Sequence, residues 1–208
     1  DPETGIDWVK VLHGEQKMVI HNPLPTSATI KAKSKVTGLV DKGADKGALI
    51  LTERTLKDAE SGLDLATLTS TTFARGNGGY DGPSDEAPRP HKVPEREPDF
   101  AVDLTTLDMA ALIYRLSGDY NPLHASPSVA KAAGFPKPIL HGLCSLGVAG
   151  HAILKGCCDY DAKRLKSLQL RFSSPVYPGE AVRTEIWRDG ANISFKSKIV
   201  ERDVVVLD

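Results

Sequence analysis

Apolar and polar residues alternate with period two in several short stretches, and in one place the apolar residues crowd together without alternation. Met18–Ile20 lead into Pro23 and Pro25, after which Ala28, Ile30, Ala32, Ser34 and Val36 alternate with polar neighbours. That is the period of a strand with one covered face. Asp41-Lys42-Gly43 is a turn signal, and Ala48–Thr52 and threonine-rich Leu65–Phe73 predict further strands. Beyond residue 100 helices come first. Thr105 with Asp108 resembles a capping box opening a helix over Leu107–Leu116 that stops at Gly118. Ser126-Pro127 starts a second, short helix ending at Gly134. Ile139 to Leu154 is apolar nearly all round, which predicts a helix buried on every side and ended by Gly156. Alternating Leu168, Leu170 and Phe172 follow, then Val182, Thr184 and Ile186, an Asp189-Gly190 hairpin signal, Ile193 and Phe195, Ile199–Val200 and Val204–Leu207.

This order predicts an α+β fold in which an antiparallel sheet wraps one buried helix. Between the two halves, Arg75 to Pro98 is polar and rich in Gly and Pro, so it cannot bury a core of its own. The expected organisation is an N-terminal unit over 1–80, a linker over 81–98 and a C-terminal unit over 99–208. Ile20 with Pro23, and Phe172 with Pro175, stand three apart, each ahead of an alternating strand and an Asp/Gly turn. An internal duplication explains this, and so does the pattern that antiparallel sheets share. In a duplication the first copy lacks the helices of the second.

Charge and composition narrow the function classes. Against 26 Lys+Arg stand 27 Asp+Glu, so no basic face is expected for nucleic acid or a membrane surface. Hydrophobic residues at 40% and charged residues at 25% exclude disordered and fibrous classes. No apolar run nears the roughly 20 residues of a membrane span. Cys144, Cys157 and Cys158 have no disulfide-framework or zinc spacing, which suits a reducing compartment. The chain starts with Asp1, so residues ahead of it are expected in the natural protein.

The chemistry concentrates in Tyr114-Arg115-Leu116-Ser117-Gly118-Asp119-Tyr120-Asn121-Pro122-Leu123-His124. A carboxylate, a carboxamide and an imidazole recur within six residues, between two predicted helices. Gly118 permits a backbone turn, and Pro122 keeps Asn121 extended. Asp119 and His124 brought together can hold one water, with the pair taking a proton and returning one elsewhere. Equally, Asp119 can cap the following turn while His124 sits as a half-buried polar residue. A metal site lacks a third ligand at recognisable spacing, and Ser117 lacks the surroundings of a nucleophile. Downstream, Pro138 to Cys144 opens the apolar helix, and a Gly142 amide in its first turn presents a free N–H backed by the helix dipole. Such a donor suits a thioester carbonyl becoming an enolate, and the same glycine also suits close helix–sheet packing.

The Tyr114–His124 segment, with Ala130 further on, resembles the signature of hydratase 2, the (R)-specific 2-enoyl-CoA hydratases of the MaoC-like group. Leu12-His13-Gly14-Glu15-Gln16, Pro23-Leu24-Pro25, Asp41-Lys42-Gly43, Gly78-Gly79-Tyr80, Pro138–Cys144, Pro175–Gly179 and Trp187 are similar to landmarks of the same family, including the hydratase unit of peroxisomal multifunctional enzymes. The resemblance implies a double hot-dog fold with an incomplete N-terminal repeat that makes room for the acyl chain. It implies reversible hydration of a trans-2-enoyl-CoA to a (3R)-3-hydroxyacyl-CoA. Asp119 and His124 would activate the water, Asn121 would order the site, and Gly142 N–H would meet the thioester oxygen. It further implies substrate contacts at His13, Gly14, Lys42, Tyr120 and Phe172. No metal or redox cofactor is expected, CoA being part of the substrate. Other chemistries open to the same architecture are dehydration of a carrier-protein thioester, thioester hydrolysis, and acyl-CoA binding without catalysis. The expected partner is the acyl-CoA itself, with no nucleic acid or membrane; pairing into a homodimer stays open. A bacterial cytoplasm is the expected location, or a peroxisome for a eukaryotic source.

Overall fold

The structure is a computed structural model that describes residues 2–84, 87–89 and 91–208; residues 85, 86 and 90 of the expected linker lie outside the described residues. The chain forms two compact units, Asp1–Arg89 with Lys163–Arg171, and Pro90–Ala162 with Phe172–Asp208.

The first unit is one antiparallel sheet. Its strands are β1 (Val11–Ile20), β2 (Ile30–Asp41), β3 (Ala48–Asp58), β4 (Asp64–Ala74) and β6 (Ser167–Arg171), in the order β2-β3-β4-β1-β6. β6 was expected in the second half, since its Leu168–Leu170 alternation continues towards Phe172. It instead pairs with β1, Met18 opposite Leu168, and both leucines are buried there. Among the described residues this unit has no α-helix, and Ile30, Val36 and Leu39 of β2 stand exposed. The predicted turn at Asp41-Lys42-Gly43 is an anchor as well as a bend. Asp41 is buried, and its carboxylate accepts from the amides of Gly43, Gly79 and Tyr80 at 2.7–2.8 Å. These bonds, that of Gly79 foremost, hold the Asp41 carboxyl below the usual carboxylate range.

The second unit packs a four-stranded sheet against one long helix. Its strands are β5 (Phe100–Thr105), β7 (Ala181–Asp189), β8 (Asn192–Ile199) and β9 (Val204–Leu207), in that order. Inward residues alternate as the sequence predicts. Val182 pairs with Ile199, Thr184 with Ser197 and Ile186 with Phe195, all buried, while Asp103 and Arg183 form an ion pair on the outer side. Asp189 opposite Asn192 closes the predicted two-residue hairpin.

The helices are α1 (Ala110–Arg115), α2 (Pro127–Ala132) and α3 (Gly142–Cys157). Three expectations change here. The capping box at Thr105 does not form, because Thr105 completes β5 and α1 starts only at Ala110. The neighbouring Thr106 hydroxyl instead donates to the Glu180 carbonyl and accepts from the Gly179 amide. α3 is buried on one side only: Ser145, Ala149, Ala152 and Ile153 are covered, while Leu143, Gly147, His151 and Lys155, four apart, face outward. Gly156 lies inside α3 instead of ending it. A Cβ there would come to 2.5 Å from the Phe100 ring, so this glycine lets the helix approach β5 closely. No helix among the described residues is long and apolar enough to cross a membrane.

Candidate active site

The site is assembled in the second unit by the loop after α1, by His141 just ahead of α3 and by Gly142, the first residue of α3. Gly118, at φ 108°, turns the chain as α1 ends, a conformation that side-chain-bearing residues rarely adopt. Asp119 follows, exposed, with one carboxylate oxygen accepting from the Asn121 amide at 3.2 Å. Asn121 is extended ahead of Pro122 (φ −53°, ψ 121°) and caps the 3-10 turn Pro122–His124, its side-chain oxygen accepting from the Leu123 amide at 3.0 Å. The same turn sets His124, whose own amide donates to the Asn121 carbonyl at 3.2 Å. Asp119 thus does cap the next residues, and yet His124 is buried rather than half-buried, at 9% exposure.

His124 Nδ1 lies 2.8 Å from the Ile139 carbonyl. A carbonyl only accepts, so Nδ1 carries the hydrogen and the neutral ring keeps a bare lone pair on Nε2. Burial pushes the His124 pKa down from 6.5, outweighing the Ile139 carbonyl and Asp119, which both raise it. The ring is therefore poised as a proton acceptor near neutral pH.

A second imidazole completes the cluster. His141, the residue before α3, is 1% exposed and stacks on His124 with ring centroids 3.7 Å apart and planes 26° apart. Its Nε2 is 3.2 Å from the Asp119 carbonyl, and the Tyr114 ring lies tilted against it at 4.7 Å. Ligand atoms of Asp119, His124 and His141 all lie within 4.8 Å of one another. That spacing also fits one water joined to two polar atoms by ordinary hydrogen bonds of about 2.8 Å each. An ion shared by both rings fits less well. Lone pairs lie in the ring planes, and near-parallel stacked rings aim them side by side, not at one point.

Gly142, the first residue of α3, follows directly. No hydrogen bond among the described residues takes up its N–H, as expected for the first turn of a helix. The Phe172 ring covers its α-carbon so closely that a Cβ would lie 3.2 Å from the ring. Asp119, Asn121, His124, Gly142 and Phe172 therefore gather in one unit. Tyr120 stays 63% exposed beneath the Arg115 guanidinium. The remaining predicted contacts belong to the first unit. His13 precedes a β1 bulge that contains Gly14, where a Cβ would meet the Thr71 carbonyl at 3.1 Å. Lys42 is exposed on the Asp41–Gly43 turn. His141 is the one member of this cluster that does not stand out in the sequence as a functional residue. Its only signal was its place between an apolar Ile139-Leu140 pair and the helix-opening glycine, where a polar side chain has to be buried.

An antiparallel sheet over one long helix, with a carboxylate and two imidazoles gathered at the helix head, defines a hot-dog protein. The chain belongs to the MaoC-like family: residues 90–208 match the MaoC like domain, and residues 2–76 match the MFE-2 hydratase 2 N-terminal domain. It is 41% identical over 206 residues to the peroxisomal enoyl-CoA hydratase 2 of Arabidopsis thaliana, covering 95% of this chain and 66% of that protein. A crystal structure of a MaoC-like dehydratase from Phytophthora capsici matches with TM-score 0.88 at 43% identity, covering 97% of this chain and 70% of the other. A Mycobacterium tuberculosis protein with a double hotdog fold matches with TM-score 0.58 at 15% identity, covering 96% and 74% of the two chains, a likeness of fold alone. The expected double hot-dog is thus the fold of this family. The chain spans 66% of the Arabidopsis relative and 28–33% of two multifunctional ones.

Proposed function

We propose that this chain carries out reversible hydration of a trans-2-enoyl-CoA to a (3R)-3-hydroxyacyl-CoA. The observation that carries the reading is the Asp119 carboxylate and the His124 imidazole within 4.8 Å, with the open Gly142 amide next in sequence to His141, whose ring stacks on His124. The water donates one hydrogen to the carboxylate and one to His124 Nε2, leaving an oxygen lone pair for C3. As the C3–O bond forms, the π pair moves through C2 to the thioester oxygen, where Gly142 N–H stabilises the enolate. The proton lost from water is held on the Asp119/His124 pair and passes from it to C2 as the carbonyl re-forms. Atoms and charge balance without a metal or redox cofactor. Asn121 orders the loop by capping it. Lys42 suits a CoA phosphate as an exposed point charge, with His13, Gly14, Tyr120 and Phe172 as the other substrate contacts.

The hydratase name of the Arabidopsis relative supports this activity, and its peroxisomal designation supports a peroxisome for a eukaryotic source; a bacterial source would place it in the cytoplasm. The test is to incubate crotonyl-CoA with the full-length protein and analyse the product on a chiral phase while following thiol release. The (3R)-hydroxy thioester without free thiol is the expected result. Free CoA would mark a thioesterase, and bound substrate with unchanged enoyl absorbance a binding module. Comparing kcat/KM for CoA and carrier-protein thioesters ranks the two carriers.

A further inference from the structure

His141 is buried at 1% exposure, touches both members of the proposed catalytic pair, and has no step of its own in the reaction above. We propose that His141 is a positioning residue that holds Asp119 and His124 in register, through its Nε2–H bond to the Asp119 carbonyl and through its ring face laid on His124. The inference rests on the hydration reading of the site.

The geometry assigns the state of His141. A carbonyl accepts, so the hydrogen is on Nε2, and Nδ1 is buried with no hydrogen-bond partner among the described residues. A proton on Nδ1 would be a buried donor without an acceptor, beside a second imidazole at 3.7 Å. The groups facing it are Tyr114 and Arg115 of α1, Asp119 of the loop, His124 of the 3-10 turn and, through Tyr114, Cys144 of α3. Arg115 and His124 both disfavour a second positive charge, and burial lowers the His141 pKa more than either. His141 therefore stays neutral while His124 gains and loses a proton. Its two attachments act on different partners. The N–H fixes the main chain of the exposed Asp119, whose carboxylate is otherwise oriented, among the described residues, by the Asn121 amide. The stacked ring stops His124 from swinging about its Ile139 bond, so Nε2 keeps its direction. A misplacement of about 1 Å at such a pair is enough to cost 10²-fold in rate.

The test is made in the full-length protein with His141→Phe, which keeps a stacking ring and loses the N–H, and His141→Gln, which keeps an N–H and loses the ring. Asp119→Asn is measured alongside to establish that the pair performs the reaction. If Asp119→Asn stays active, the hydration reading itself fails. If it is inactive, the His141 variants decide the inference alone. The expected result is a kcat lowered about 10-fold or more in His141→Phe with KM within about 2-fold, and partial recovery of kcat in His141→Gln. Folded variants with kcat within 2-fold of wild type overturn the proposal. Should His141→Phe fail to fold, His141→Gln is judged by itself. An unchanged kcat there refutes the brace, and a lowered kcat at unchanged KM upholds it.

Discussion

The Gly142 amide can be removed while the helix it starts is kept. Gly142 is the first residue of α3, where proline is well tolerated because that N–H has no intrahelical partner. The preceding His141 has ψ 137°, the range a residue ahead of proline adopts. Gly142→Pro therefore deletes the donor at small backbone cost. It also adds a Cβ, which would lie 3.2–3.4 Å from three Phe172 ring atoms, so the ring must yield by a few tenths of an ångström. Gly142→Ala adds the same Cβ and keeps the N–H. The ratio of the two variants removes the Cβ contact with Phe172, leaving the lost N–H and the proline ring that replaces it. Loss of one preorganised oxyanion donor costs about 10²–10³ in kcat, or roughly 2.7–4 kcal/mol. Gly142→Ala should keep much of the activity, with stability changed by no more than about 1 kcal/mol. Gly142→Pro should fall about 10²-fold or more below it at a similar melting temperature. The assay follows loss of the conjugated enoyl-thioester absorbance in both variants. Equal rates for well-folded Gly142→Pro and Gly142→Ala would refute the role of the amide.

Three further outcomes follow from the same geometry. Since burial lowers the His124 pKa and the neutral ring is the acceptor, kcat/KM should be full at neutral pH and fall through an inflection below 6.5; a pH–rate profile with an inflection above 6.5 would contradict this. Thr184→Val leaves the buried Ser197 hydroxyl, 3.0 Å away, without its partner, so urea denaturation should show a loss of about 1–3 kcal/mol. Asp41→Asn should lower the melting temperature. Because the folded carboxyl is held below 3.8, the gap from wild type should be full above that pH and close as pH falls beneath it.

Local chemistry made the second unit's sheet readable. Strict alternation at Val182, Thr184 and Ile186 and the Asp189-Gly190 turn carry their own register. What periodicity misses is partner choice: Leu168 and Leu170 alternate equally well beside β1 or beside a strand of the second unit, and only three-dimensional packing decides. The start of α1 departs from its capping signal because Thr105 carries both a capping pattern and a strand pattern, and pairing with Ala181 prevails. At the site, Gly118, Asp119, Asn121-Pro122 and His124 lie within one short loop, so local backbone preferences make their meeting one of two readings, the other being a plain turn cap beside a half-buried histidine. His141 lies 17 residues after His124, and no local rule reports a stack between residues so far apart.

The reading stands on the acidic side chain after Gly118, and replacing one oxygen by nitrogen challenges it with the least disturbance. Full-length Asp119→Asn should bind an enoyl-CoA with wild-type affinity and melt at the wild-type temperature, yet hydrate it at least about 10²-fold more slowly. A variant that turns over within a few-fold of wild type would contradict the shared-water mechanism.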